Sequence, residues 1–206
     1  AHFERMHRSC RVLRIDLPYS PAELADITTE LVRRNGYRED VYIRPLAFKS
    51  HEIIGVRLHG LEDGFAIYTA PMGNYIPIDE GIKCGVSSWR RIDDNMIPPA
   101  AKVTGLYVNS ALAKTEAIEN GYDEAIMLTQ AGNVSEGSAE NIFLVQGDTL
   151  ITPAKGENIL VGITRNAVME LAHDEFGIRT IERNVARSEL YNSDEVFLCG
   201  TGAQIS

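Results

Sequence analysis

The sequence predicts a mixed α/β (α+β) fold in two domains, and three observations predict it. Runs of strand type outnumber runs of helix type and do not alternate strictly with them, which disfavours a doubly wound sheet. Helix-type runs carry recognisable start and stop residues. The stretch Pro71-Met72-Gly73-Asn74 breaks the pattern between two such groups of elements. The expected organisation is a small amino-terminal domain over 1–71, a connection over 72–80 and a larger domain over 81–206.

In order along the chain, Phe3, Met6, Cys10 and Leu13 follow helical spacing from near Ala1 without a capping residue before them. Ser20-Pro21-Ala22-Glu23 is a strong helix start: serine caps, proline takes the first turn, and glutamate sits three residues after the cap. Leu24, Ile27, Leu31 and Val32 then share one face, and Gly36 ends the helix. Residues 40–48, 51–58 and 64–69 read as strands, each rich in isoleucine, valine, tyrosine or phenylalanine. Beyond the break, Ile82 to Trp89 reads as a strand and 105–119 as a helix ending near Gly121. Residues 124–129 form a further strand. Residues 141–151 form a hairpin turning at Gly147-Asp148. Thr164 to Glu175 is a helix stopped by Gly177, with strands near 178–183 and 194–199 after it.

Composition narrows the function classes. With 44% hydrophobic and 24% charged residues in 206, the chain has the balance of an ordinary globular protein able to bury a sizeable core. Its net charge of −9 argues against a nucleic-acid or anionic-membrane surface, which needs a basic face. No apolar run approaches the roughly 20 residues that span a bilayer, so the expected location is the cytoplasm. Cys10, Cys84 and Cys199 are too scattered for a disulfide framework or a metal knuckle and read as buried thiols.

One lysine stands out. Lys102 follows Pro98-Pro99-Ala100-Ala101, a stiff lead-in expected to be extended, and only Lys49, Lys83, Lys114 and Lys155 compete with it. A lysine that forms a Schiff base must be held and partly desolvated so that its neutral amine is available. Taken by itself, Lys102 reads first as a solvated surface residue. No G-x-S-x-G or H-E-x-x-H occurs, and the five histidines lie far from any serine or cysteine elbow, so a hydrolase is disfavoured.

The segments PPAAKVTGLYVNS at 98–110 and the acidic turn VSEGSAEN at 134–141 closely resemble the fold-type IV, or class IV, pyridoxal-phosphate aminotransferases, most of all the branched-chain amino acid aminotransferases. The resemblance continues through VYIRPL at 41–46, VSSWRR at 86–91, GITR at 162–165 and DEVFLCGTGAQI at 194–205. It implies a two-domain fold like that of the D-amino acid aminotransferases, with an amino-terminal hairpin region and a carboxy-terminal segment lying beyond this chain. It also implies a homodimer or higher homo-oligomer.

Through the resemblance, each demand of pyridoxal 5'-phosphate finds a candidate. Lys102 is the Schiff-base lysine and proton shuttle. Glu136 pairs with the ring nitrogen and keeps it protonated, with Glu140 a competitor for that role. Tyr107 bonds the phenolic oxygen. Gly162, Ile163, Thr164 and Thr201 hold the phosphate with Arg5, the first three at a helix amino-terminus that favours anions. For the substrate, Tyr42 and Arg44 share one face of a strand, Tyr75 lines a pocket, and Thr201 with Gly202 offers backbone amides. The implied reaction moves the amino group of L-leucine, L-isoleucine or L-valine to 2-oxoglutarate by a ping-pong route. The alternatives are a D-amino acid transaminase or a 4-amino-4-deoxychorismate lyase of the same fold, or an inactive fragment.

Overall fold

A computed structural model of the chain describes residues 1–72 and 81–206, and the chain divides into two compact units, Ala1–Gly73 and Asn74–Ser206. Most of the expected connection over 72–80, with Tyr75 in it, lies outside the described residues.

The first unit holds helices α1 (His2–Val12) and α2 (Pro21–Asn35) and strands β1 (Val41–Lys49) and β2 (Asp63–Pro71). The start of α2 forms as its sequence dictates. Glu23 N–H donates to the Ser20 hydroxyl at 3.2 Å, and Ser20 N–H donates to the Glu23 carboxylate at 2.7 Å. This reciprocal cap is worth about 1 kcal/mol. Gly36 closes the helix in the left-handed region at φ 67°, where a side chain would be strained.

Strands β1 and β2 pair antiparallel from Val41↔Pro71 to Lys49↔Asp63. Lys49 and Asp63 end the ladder as an ion pair at 2.7 Å. The strand expected over 51–58 does not form; those residues are the connection between β1 and β2. Every residue of β1 is already matched by one of β2, so the run finds no ladder among the described residues. Ile54 and Val56 stand fully in solvent as a result.

The second unit begins with β3 (Cys84–Arg90), a 3-10 turn (Thr104–Leu106), α3 (Tyr107–Glu119), β4 (Glu124–Leu128) and β5 (Val134–Gly137). It continues with β6 (Asn141–Gln146), β7 (Thr149–Pro153), α4 (Ile163–Phe176), β8 (Arg179–Arg183), α5 (Glu189–Asn192), β9 (Glu195–Gly200) and β10 (Gln204–Ile205). Two sheets result, ordered β3-β4-β5 and β10-β9-β6-β7-β8. Both are mixed: β3/β4 and β7/β8 run parallel, the remaining pairs antiparallel. The mixed α/β expectation therefore holds.

The pleat of β4 explains its wholly buried sequence. Ala125 and Met127 point to one face and pack with Ala113 and Ala117 of α3, whose small side chains let the helix approach closely. Ile126 and Leu128 point to the other and join Val134, Ile142, Leu144, Ile151, Val185 and Leu198 in the main core. Each large aliphatic buried in this way contributes about 2 kcal/mol. A third cluster, Phe143, Leu150, Ala172 and Cys199, seats α4 on the larger sheet.

The β6/β7 hairpin turns at Gly147 (φ 55°), and Gly177 (φ 64°) ends α4, as their residue types require. Segment 134–141 departs from expectation. It is not a turn alone: residues 134–137 form the buried strand β5, because Val134 enters the main core while Met127 pairs with Glu136 in register. Helix α5 and strand β10 are too short to carry a periodic signal.

Candidate active site

The approach to Lys102 is a turn. Ala101 N–H donates to the Pro98 carbonyl at 3.0 Å, which places Pro99 at the second turn position, where its fixed φ fits. This corrects the extended lead-in that the two prolines suggest. Ala101 is buried, but the Lys102 side chain is exposed, where partial desolvation was expected. Its ammonium stands 5.7 Å from the centroid of the Tyr107 ring, the first residue of α3, within cation–π range.

Glu136 projects from β5 and is 5% exposed. Arg91, equally buried just beyond β3, meets its Oε1 at 2.7 Å. Its Oε2 accepts from Leu160 N–H and from the Asn141 side-chain amide, each at 3.0 Å. Burial pushes this carboxyl up to about 7, opposed by the Arg91 charge, the Leu160 N–H and the Lys102 charge. Every partner of its oxygens is a donor, so the ionised form is the one that satisfies the contacts. Lys102 and Glu136 thus belong to one electrostatic neighbourhood.

Glu140 has a different setting. It is 2% exposed, its Oε2 accepts Ala139 N–H at 3.0 Å, and its Oε1 has no hydrogen-bond partner. Burial, then the charge of Glu124, push it up to about 7. No arginine or lysine meets it directly among the described contacts, in contrast to Glu136.

The amino-terminus of α4 forms at Gly162, whose extended conformation (φ −69°, ψ 145°) starts the helix without a side-chain cap. Its first-turn N–H groups therefore remain for an anion. The Thr164 and Thr201 hydroxyls lie 3.4 Å apart there, Thr201 and Gly202 standing in the turn that follows β9. Asn141 links this end to Glu136: its amide donates to Glu136 and, at 2.8 Å, to the Leu160 carbonyl. A Cβ at Gly162 would fall 2.2 Å from Asn141 Oδ1, so glycine is the residue that fits.

In the first unit, Tyr42 and Arg44 lie two residues apart on β1, as the strand period requires. The Arg44 guanidinium donates to the Tyr42 hydroxyl and stands 5.0 Å from its ring centroid. Arg5 lies half-buried on α1. Cys10 and Cys199 are buried and Cys84 half-buried; burial pushes the Cys84 thiol up to about 11 and the Cys199 thiol to about 12, too high for a reactive thiolate.

Sequence reasoning assigned no role to Arg91 or Asn141. Both lay in plain view, in VSSWRR and VSEGSAEN, but nothing local told which of two adjacent arginines turns inward.

The residues fit a phosphorylated pyridine cofactor: an acceptor carboxylate, a lysine whose charge reaches it, and a helix terminus with two hydroxyls at an anion-sized distance. The profile of the class IV amino-transferases matches residues 1–206, and the chain belongs to that family. Within it, the chain is 50% identical over 205 residues to a probable branched-chain-amino-acid aminotransferase of Aquifex aeolicus, covering all of this chain and 66% of that one. It superposes with TM-score 0.96 and 45% identity on the branched-chain aminotransferase of Thermoproteus uzoniensis crystallised with norvaline, covering all of this chain and 68% of that one. With the PLP form of the Thermobaculum terrenum branched-chain enzyme the TM-score is 0.95 and the identity 38%, covering all of this chain and 67% of that one. The chain thus spans about two thirds of the length of the relatives it matches.

Proposed function

We propose that the protein is a pyridoxal-phosphate-dependent transaminase that moves the amino group of L-leucine, L-isoleucine or L-valine to 2-oxoglutarate in two half-reactions. The observation that carries this reading is Glu136, buried and held by Arg91, within reach of the Lys102 charge. When bound, the cofactor supplies an electron-withdrawing ring that stabilises the carbanion left by removal of the substrate's α-proton.

Lys102 Nζ is the group that binds the cofactor covalently and afterwards carries the proton to and from the substrate's α-carbon. Glu136 accepts the ring N–H, and its negative charge keeps that nitrogen protonated. Tyr107 offers its phenol to the ring oxygen. The first-turn N–H groups of α4, with Ile163, Thr164 and Thr201, hold the phosphate, and Arg5 adds a planar charged fork. Tyr42 and Arg44 recognise the substrate carboxylate, with backbone amides after Thr201 at Gly202, and Tyr75 lines the side-chain pocket. The working unit is a homodimer or higher homo-oligomer in the cytoplasm; among the described residues no helix is long and apolar enough to cross a membrane.

The test is borohydride reduction of protein incubated with pyridoxal phosphate, followed by peptide mapping. The adduct is expected on the peptide that contains Lys102, and Lys102→Ala removes both the adduct and transamination of L-leucine. An adduct on Lys83 or Lys155, or turnover of D-alanine in preference to L-leucine, overturns the reading.

A further inference from the structure

The motif VSSWRR ends on Arg91, a buried arginine held from two separate elements. Arg91 is 5% exposed, and each of its three guanidinium nitrogens has a partner. Nη2 meets Glu136 Oε1 at 2.7 Å, Nη1 donates to the Ser110 hydroxyl at 3.3 Å, and Nε donates to the Asn158 carbonyl at 3.4 Å. Asn158 is in turn fixed by Asp93 at 2.6 Å and takes a positive φ of 57°, an unusual backbone state that its short polar side chain tolerates. The guanidinium is thus held from α3 and from the 154–160 loop at once. Its charge is directed at a single acid.

From this geometry we infer that Arg91 is a positioning residue for the cofactor: it fixes the Glu136 carboxylate in orientation and as an anion, so that Glu136 can accept the ring N–H. The inference rests on the proposed function, since it presumes that Glu136 faces a pyridine ring. The physical need is plain. An isolated buried carboxylate is expensive and would neutralise by taking a proton. A protonated Glu136 would present an O–H toward a ring nitrogen that must itself carry a proton, and the two donors would oppose each other.

The contacts on the other oxygen do not suffice alone. Leu160 N–H and the Asn141 amide are neutral dipoles, weaker than a charged fork. The remaining charged groups around Glu136 are Lys102, which is exposed and screened, and Glu140, whose negative charge works the other way. Arg91 is the buried cation of the set, and removing it leaves an uncompensated acid.

The experiment measures the dissociation constant of pyridoxal phosphate from the protein, with no turnover involved, at about pH 7 and about pH 9. Arg91→Met is expected to weaken binding roughly tenfold or more at about pH 7 and to regain part of the loss at about pH 9, where more of Glu136 is ionised. Arg91→Lys, which keeps the charge but loses the fork, shows a smaller loss with the same direction of recovery. Glu136→Gln is weak at both pH values. Lys102 is present in all of these proteins, so its charge does not distinguish them.

A loss for Arg91→Met that is equal at both pH values means a merely structural arginine and overturns the inference, as does unchanged binding. If Arg91→Met does not fold, Arg91→Lys decides: a binding profile not displaced toward higher pH overturns it. Unchanged binding by Glu136→Gln would instead remove the proposed role of Glu136, a failure distinguishable from that of Arg91.

Discussion

The Thr164 and Thr201 hydroxyls lie 3.4 Å apart although 37 residues separate them in the chain. One opens α4 and the other follows β9, and they meet because α4 packs on the sheet that contains β9. Two hydroxyls at this distance beside uncapped helix N–H groups suit the oxygens of one phosphate. Thr164→Val and Thr201→Val are each expected to weaken pyridoxal phosphate binding by about 1 kcal/mol, the net worth of one hydrogen bond. Because the pair is in contact, the double variant should lose less or more than the sum. Titration with unphosphorylated pyridoxal is the control. Equal losses for both compounds would mean the hydroxyls do not serve a phosphate.

Gly162 makes a steric prediction. An added Cβ would lie 2.2 Å from Asn141 Oδ1, and Asn141 cannot swing aside without giving up Glu136 and the Leu160 carbonyl. Gly162→Ala should therefore destabilise the protein by about 1–3 kcal/mol, although its φ of −69° suits alanine. Urea unfolding checks the cost. In the Asn141→Ala background the same substitution should cost markedly less, since the obstructing amide is gone.

Glu140 makes a pH prediction whose sign is fixed by its burial. Its carboxyl is pushed from the ordinary 4.5 up to about 7, so the folded state holds a proton that the unfolded state releases. Its contribution to stability is then fully present below about pH 4.5 and falls as pH rises through about 7. Glu140→Gln removes that loss. The variant should be more stable than the parent at about pH 8, by on the order of 1 kcal/mol, with the gap closing toward about pH 5. Removing the Glu140 charge also eases ionisation of nearby Glu136, which acts in the same direction. Denaturant midpoints at the two pH values measure it; a pH-independent gap would show that Glu140 is not the group responsible.

The elements themselves were largely legible. The Ser20 cap with Glu23, the stops at Gly36 and Gly177 and the turn at Gly147 act within a few residues, so local sequence carries them. The failures were equally physical. Residues 51–58 have strand composition, yet β1 spends its pairing on β2, and a strand needs a ladder as well as a propensity. The Pro98-Pro99 pair read as extension because each proline restricts its predecessor, whereas Pro99 in fact occupies the second place of a turn.

The sequence by itself determined where helices and strands start and stop, which faces are apolar, and which lysine, glutamates and threonines stand in motifs resembling those of aminotransferases. Only the tertiary structure decided which acid is held by a buried cation and which is not. Glu136 and Glu140 are four residues apart in one motif, but β4 and β5 bring Arg91 against the first while Glu124 sits near the second. The reason is that charge states are set by neighbours from distant strands and by exclusion of water, and neither is encoded in local spacing.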